Sequence, residues 1–390
     1  MNLLDGAILL VVTLQAFRWI NYGLIRGVFS IGGFWIGVLL GAMVAPLVLE
    51  FASNEPMLRL VVSITTIITV ALLVGAIGEF VGRKLSYLTS RLHLGIADAI
   101  LGAIFGMVAT LLFAWLIAAI LSGTPFQQVN QQIRQSVILQ TLNRELPPAP
   151  AVASQITNLI NPDNFPQVFT GLEPAPIDPV DPPSSEELAA ALEAAGTSTV
   201  RIESTGCGGV VNGSGFVVDN DIVATNAHVV AGIERPNVVD TAGRNEATVI
   251  AFDPDMDIAL LRVSNLAGEP LPLATSTAER GTTGAVLGYP AGGPLEVVES
   301  AVLRQMQARG RDIYGRSLVT RPVYELQTQI ASGNSGGPMV RSNGEVVGII
   351  FARSEADGNV GYAIEASAVQ SLLDQHRNAT RPVSTGVCAN

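Results

Sequence analysis

The first 121 residues carry so few polar positions that four apolar runs stand out, at 3–24, 28–49, 58–80 and 97–121. Each is long enough as a helix to cross a hydrocarbon core about 30 Å thick. Four membrane spans are expected. The first run holds Asp5 near its start and has no basic leader or small-residue cleavage site, so it predicts a retained span and not a removable signal peptide. After the fourth run, Phe126, Val129, Ile133, Val137, Leu142 and Leu146 recur near helical spacing among glutamines. That predicts an amphipathic helix, lying on the membrane or on the next domain. Prolines at 147, 148, 150, 174, 176, 179, 182 and 183 then predict an extended, partly stiff spacer. Ser184-Ser185-Glu186-Glu187 reads as the cap and first turn of an alanine-rich helix to about residue 195.

From residue 199 the pattern shifts to short β-branched runs separated by turns, at 199–204, 215–218, 222–225, 247–252, 258–263, 285–288, 297–303, 318–326, 346–351 and 360–364. Runs of this length with no helices between them predict an all-β sandwich or barrel pair, not a doubly wound sheet. A last helix is expected over 366–376. The chain therefore reads as a membrane anchor over 1–122, a juxtamembrane helix and proline-rich linker over 123–183, and a β domain over 184–390.

Composition sharpens this picture. A 48% hydrophobic content and a mean hydropathy of +0.42 are too apolar for an ordinary soluble chain of 390 residues. Charge separates the halves: residues 123–390 hold 16 basic and 28 acidic groups, which excludes nucleic acid as a partner. Arg18 and Arg26 flank the first hairpin, and Arg83, Lys84 and Arg91 the third. The positive-inside rule puts both hairpins in the cytoplasm and the acidic domain outside. Gly33, Gly37 and Gly41, with Gly102 and Gly106, form small-residue stripes. They serve packing within the bundle or self-association with a second protein, and both readings stay open. Glu79 and Asp98 lie near span ends, and Glu79 is expected to pair with Arg83 four residues on.

The chemistry gathers in three segments. Gly333-Asn334-Ser335-Gly336-Gly337-Pro338 places a serine in a glycine-rich turn, where missing side chains let backbone N–H groups converge on an oxyanion. Thr225-Asn226-Ala227-His228-Val229-Val230 offers a base to take the serine proton, and Asp257-Ile258-Ala259-Leu260-Leu261 an acid to orient that base. The order His228, Asp257, Ser335 is one of the known solutions to a Ser–His–Asp triad. Gly333 and Ser335 are the expected oxyanion-hole donors. His93 falls in a predicted cytoplasmic loop and His376 on a C-terminal helix, so neither competes with His228. Two cysteines, Cys207 and Cys388, lie on the oxidising side, where a disulfide is the natural reading and two buried thiols the other. With no nearby histidine they cannot fill a metal site, and no cofactor is expected.

Residues 1–122 resemble the colicin V production family in the Asn2-Leu3-Leu4-Asp5 opening and the basic first hairpin. Residues 199–377 resemble the trypsin/chymotrypsin superfamily. Gly213-Ser214-Gly215-Phe216-Val217-Val218 and the His228 segment are similar to its HtrA-like branch. That resemblance implies a chymotrypsin-like double β-barrel and endopeptidase activity on protein substrates. It also implies a substrate pocket with Gln329 at its floor, Gly361 on a wall and Phe351-Ala352-Arg353 on the strand that pairs with substrate. Anchor, spacer, protease and cysteine pair together resemble the family of membrane-anchored periplasmic acid-resistance serine proteases of mycobacteria and their relatives, which implies a role in envelope or acid stress. Self-cleavage in the spacer is a further expectation. The competing reading is a catalytically silent membrane scaffold, or a pseudoprotease whose barrels only bind peptide.

Overall fold

A computed structural model describes residues 2–49, 56–90, 95–121, 127–146, 168–207 and 209–389. The N-terminal part of the chain forms helices α1 (Leu3–Tyr22), α2 (Leu24–Leu49), α3 (Pro56–Ser90) and α4 (Gly95–Leu121), and the first compact unit ends at Ile117 within α4. Among the described residues these are the four helices long and apolar enough to span a membrane. Asn2 caps α1 and exchanges hydrogen bonds with Asp5, so the acid near the chain start is a capping residue.

The glycine stripe of α2 faces α3. A Cβ on Gly37 would lie 2.6 Å from the Ala71 Cα, and one on Gly41 2.8 Å from the Ile67 Cα. The stripe therefore packs two helices of one bundle, the first of the two open readings. Glu79 pairs with Arg26 at 2.5 Å across α2 and α3, not with Arg83. An interhelical partner wins because it joins two surfaces already brought close by the glycines. Asp98 Oδ1 accepts the Ile25 N–H at 3.1 Å, satisfying a donor at the start of α2.

The second compact unit runs from Ala118 to Asn390. The single amphipathic helix expected over 126–146 is two helices, α5 (Gln127–Gln135) and α6 (Val137–Glu145). Ser136 breaks it: its backbone is extended and its hydroxyl accepts the Leu139 N–H, so a local cap displaces helix continuation. Both helices pack on the β domain. Arg134, 4% exposed, reaches Glu325 at 3.4 Å and Glu173 at 3.7 Å. Arg304 pairs with the other oxygen of Glu325 at 2.5 Å. Glu173 accepts from Ser354 Oγ and the Glu355 N–H. The linker expected over 123–183 is thus in large part a docked element. Residues 147–167, the front of the proline-rich spacer, lie outside the described residues.

Burial holds the Glu325 carboxyl above the usual carboxylate range, against the pull of Arg304 and Arg134. Its folded affinity for a proton exceeds the unfolded one, so its contribution to stability is full below the unfolded pKa and falls as pH rises through the folded value. Glu325→Gln should therefore gain in thermal midpoint relative to wild type as pH rises from about 4 to 7, read by differential scanning calorimetry. A difference that does not change with pH would contradict this.

Helix α7 (Ser185–Ala195) starts with the expected capping box, Ser184 and Glu187 exchanging backbone bonds. Twelve strands follow among the described residues. The first closed barrel contains β1 (Thr199–Gly206), β2 (Gly209–Asp219), β3 (Ile222–Thr225), β4 (Asn237–Asp240), β5 (Gly243–Asp253) and β6 (Ile258–Val263), in the order β1-β2-β3-β6-β5-β4. The second contains β7 (Thr283–Gly288), β8 (Glu296–Arg311), β9 (Leu318–Gln327), β10 (Pro338–Val340), β11 (Val346–Arg353) and β12 (Val360–Glu365), in the order β10-β11-β12-β9-β8-β7. Closure leaves neither sheet an open edge.

Val200, Ile202, Val217, Val223 and Leu261 fill the first barrel, and Val286, Val302, Leu326, Met339 and Ile350 the second. Phe216, Leu260, Leu287 and Phe351 belong to the apolar cluster that joins them. The short helix α8 (Ala227–Val230) follows β3, and α9 (Ala366–His376) packs beneath β11 and β12.

Candidate active site

His228 is delivered by α8, directly after β3. Its ring Nδ1 lies 2.7 Å from Asp257 Oδ2, and its backbone N–H donates to Asp257 Oδ1 at 2.9 Å. Both carboxylate oxygens are thereby committed to one residue. Asp257 is fully buried between β5 and β6 in a left-handed backbone conformation (φ +61°), which aspartate tolerates better than most side chains. Asn226 Nδ2 donates to the Asp257 carbonyl at 2.8 Å and fixes that turn from the histidine side. The bond from Nδ1 leaves Nε2 without a partner among the described residues, turned over to whatever enters the cleft.

Ser335 reaches the same place from the second barrel. Its carbonyl accepts the Ser214 N–H at 2.8 Å, and the Ser214 carbonyl accepts Thr225 Oγ1 at 2.7 Å, three residues before His228. Gly336 is packed into this corner with φ +85°. A Cβ there would lie 2.1 Å from the Ser214 carbonyl oxygen and 2.4 Å from Thr225 Oγ1, so the turn admits no side chain at that position. The Ser335 hydroxyl makes no hydrogen bond among the described residues, to the imidazole or to anything else. Asp257 and His228 are joined, and the Ser335 hydroxyl is not bonded to either.

The N–H groups of Asn334, Gly336 and Gly337 bond to the carbonyls of Ala331, Ile350 and Asn334. Those of Gly333 and Ser335 have no acceptor among the described residues. The Ser332–Gly333 and Asn334–Ser335 peptide units thus present two free donors beside the serine.

Ser214, between two glycines ahead of β3, carries a role that its local sequence does not show. Its buried hydroxyl donates to the Gly333 carbonyl at 2.7 Å and accepts the Tyr289 N–H at 2.9 Å, which holds the Gly333–Asn334 peptide in the interior. The flanking Gly213 and Gly215 were the available signal, since a Cβ on either would collide with Val229 or with Val223 and the Ala224 carbonyl. Ser214→Ala should cost about 1–3 kcal/mol of stability, the usual penalty for orphaning buried partners. It should lower kcat by about tenfold with little change in KM, because the turn that carries the Gly333 and Ser335 N–H groups loses a buried anchor. Steady-state kinetics on a peptide substrate would check this.

Of the five residues expected to shape a pocket, Gly361 on β12 stands opposite Arg353 on β11, and Gln329 follows the end of β9 beside Thr328, which Gly361 faces. Gln329 is exposed, donates to Asn359 Oδ1 at 2.9 Å and lines a 520 Å³ cleft with Thr328, Asn359, Pro179 and Pro182. Gly361 faces Ile330, whose Cγ1 lies 2.6 Å from where a Cβ would stand. Phe351 and Ala352 are fully buried, so only their backbone remains to pair with a peptide, while Arg353 is half-buried at the end of β11. Cys207 and Cys388 form a disulfide across 181 residues. It ties the C-terminal tail beside α8, where the Gly232 N–H donates to the Thr385 carbonyl and Thr385 Oγ1 to the Ile233 carbonyl. Among the described residues no group of His, Cys, Asp and Glu could hold a metal ion.

Residues 213–349 match the family described as trypsin-like peptidase domain, and residues 4–147 the family described as Colicin V production protein. Two closed β-barrels, a bonded His228–Asp257 pair and the glycine-rich turn at Ser335 define this class: the protein is a trypsin-like serine endopeptidase. It is 31% identical over 396 residues to serine protease Rv3671c of Mycobacterium tuberculosis, covering 99% of this chain and 98% of that one. The putative serine protease HhoA of Synechocystis is 34% identical over 173 residues, 41% of this chain and 42% of that one. The crystal structure of the Rv3671c protease in its active form aligns with TM-score 0.54 and 36% identity, over 56% of this chain and 97% of that one. The chain belongs to the serine protease family that includes Rv3671c, with a colicin V production-type membrane domain ahead of the peptidase.

Proposed function

We propose that this protein is a membrane-tethered endopeptidase of exported proteins, with Ser335 as nucleophile, His228 as general base and Asp257 as the acid that orients it. The observation that carries the reading is the 2.7 Å bond from His228 Nδ1 to a fully buried Asp257, which leaves Nε2 for the serine proton. The mechanism requires the Ser335 hydroxyl to reach Nε2 when a peptide binds. The hydroxyl then attacks the scissile carbonyl, and Asp257 stabilises the imidazolium that forms. The N–H groups of Gly333 and Ser335 receive the oxyanion. His228 returns the proton to the leaving amine, and water repeats the sequence on the acyl-enzyme. No metal or cofactor enters these steps.

Gln329 and Gly361 bound the specificity pocket, and β11 from Phe351 to Arg353 offers its backbone to substrate. A floor without an acid does not ask for Lys or Arg. Arg18, Arg26, Arg83, Lys84 and Arg91 orient the anchor, residues 1–122, with the peptidase on the periplasmic side of the inner membrane. The resemblance to mycobacterial acid-resistance proteases supports a role in envelope or acid stress. Residues 168–183 are held against the second barrel, with Gln327 bonding both the N–H and the carbonyl of Val180. Self-cleavage is therefore assigned to 147–167. A survey of new protein N-termini in cells with wild-type protein or Ser335→Ala tests these statements together. The reading expects exported proteins and a site within 147–167 in the difference, and identical termini in both strains would overturn it.

A further inference from the structure

A buried arginine that the mechanism above does not use stands behind the candidate acid. Arg321 lies on β9 of the second barrel and is 1% exposed. Its Nε donates to the Asp255 carbonyl at 2.6 Å, two residues before Asp257 and across the barrel boundary. Its Nη2 donates to the Arg311 carbonyl at 2.9 Å at the end of β8, so one planar group spans the β8–β9 hairpin and the β5–β6 turn. The same hairpin holds that turn a second time, through the Ile313 N–H on the Pro254 carbonyl at 3.2 Å. The guanidinium carbon lies 5.9 Å from the centre of the Phe351 ring, which closes its apolar side.

The charges facing Arg321 are Asp253, Asp255 and Asp257 from the β5–β6 turn and Asp312 from the hairpin. Asp253 accepts the N–H groups of Asp255 and Met256, and Asp312 those of Tyr314, Arg316 and Ser317. Those two carboxylates shape their own turns, and Asp257 is bound to His228. Burial weakens the hold of Arg321 on its proton, and Asp257, ahead of the other three, strengthens it again.

We infer that Arg321 is a positioning residue for catalysis: it clamps the turn carrying Asp257 onto the second barrel and sets the field in which the His228–Asp257 pair works. A fork that bonds two carbonyls in fixed directions needs arginine, because lysine offers charge without that geometry. The left-handed backbone at Asp257 is the strained point the clamp would hold in place. A fixed positive charge beside Asp257 also opposes protonation of the imidazole, so its loss favours imidazolium and withdraws the base as pH falls.

The inference rests on the assignment of His228 and Asp257 above. The test uses full-length protein in detergent micelles, with kcat and KM on a peptide substrate from about pH 4 to 9 and active enzyme counted by fluorophosphonate titration. Arg321→Gln should move the acid limb of kcat/KM up by about half a pH unit or more. Arg321→Lys should leave that limb in place and lower kcat about tenfold at unchanged KM. The limb position does not depend on how much protein folds, so a low yield of Arg321→Gln still gives the answer. If Arg321→Gln yields no folded protein, Arg321→Lys decides alone. A wild-type acid limb in Arg321→Gln, or wild-type kcat in Arg321→Lys, overturns the inference while His228→Ala stays inactive. Hydrolysis that survives His228→Ala would instead sink the underlying assignment.

Discussion

Replacing the Ser335 hydroxyl or the His228 ring by hydrogen, in Ser335→Ala and His228→Ala, should lower kcat on a peptide substrate by about 10⁴- to 10⁶-fold while KM stays within a few-fold. The two changes act on one unit, so the double variant should lose no more than either alone. The reason is geometric. His228 Nδ1 is occupied by Asp257, leaving one nitrogen to accept a proton, and Ser335 stands in a turn where the N–H groups of Asn334, Gly336 and Gly337 are committed elsewhere while those of Gly333 and Ser335 are free. Residual turnover would come from the two free N–H groups and from binding. Steady-state kinetics on full-length protein, with thermal midpoints to show that the variants are folded, would check this. A loss below about tenfold in either variant would contradict it.

Removing the disulfide should be the largest blow to stability. Joining residues 181 apart gives about 5 kcal/mol in the chain-entropy account, a ceiling that real bridges often miss, so roughly 2–5 kcal/mol is expected from Cys207→Ala with Cys388→Ala. For a domain of this size that is a drop of roughly 5–15 °C in thermal midpoint. Activity should fall as well. The tail the bridge retains bonds Gly232 and Ile233 just after α8, and Ala389 packs with Ala227 and Ala231 on the helix that carries His228. Calorimetry and kinetics on the double variant, with and without reductant on the wild type, would measure both effects. A midpoint and kcat equal to wild type would show that the bridge neither stabilises the fold nor steadies the cleft.

The parts of this protein legible in its sequence are those where chemistry or solvent restricts residue type locally. Apolar runs of span length, alternating β runs and a serine among glycines each carry their signal within a few positions. Two strands went unseen for local reasons: β4 is four residues with polar ends, and β10 is three residues after a glycine-rich turn. Strand β8 was expected to end at 303 and runs to Arg311, because Gln305, Gln307 and Arg309 alternate with Met306 and Ala308 on a half-exposed strand. Pairings between distant residues left no local trace. Arg134 and Glu325 are 191 positions apart, Arg26 and Glu79 are 53, and Arg321 reaches Asp255 from 66 away. The docking of 127–146 on the second barrel follows from the first of these, since a buried arginine needs a buried acid, and sequence names neither as buried. Ser214 stands out by its glycine neighbours, while its task depends on a carbonyl 119 residues on.

The central claim is that Ser335 is a nucleophile activated by His228 and Asp257. Full-length protein treated with a fluorophosphonate probe, digested and mapped by mass spectrometry, tests it most directly. The account predicts one adduct, on the Ser335 hydroxyl, that is lost in His228→Ala and strongly slowed in Asp257→Asn. Labelling at another serine, or labelling of Ser335 at an unchanged rate in His228→Ala, would contradict it.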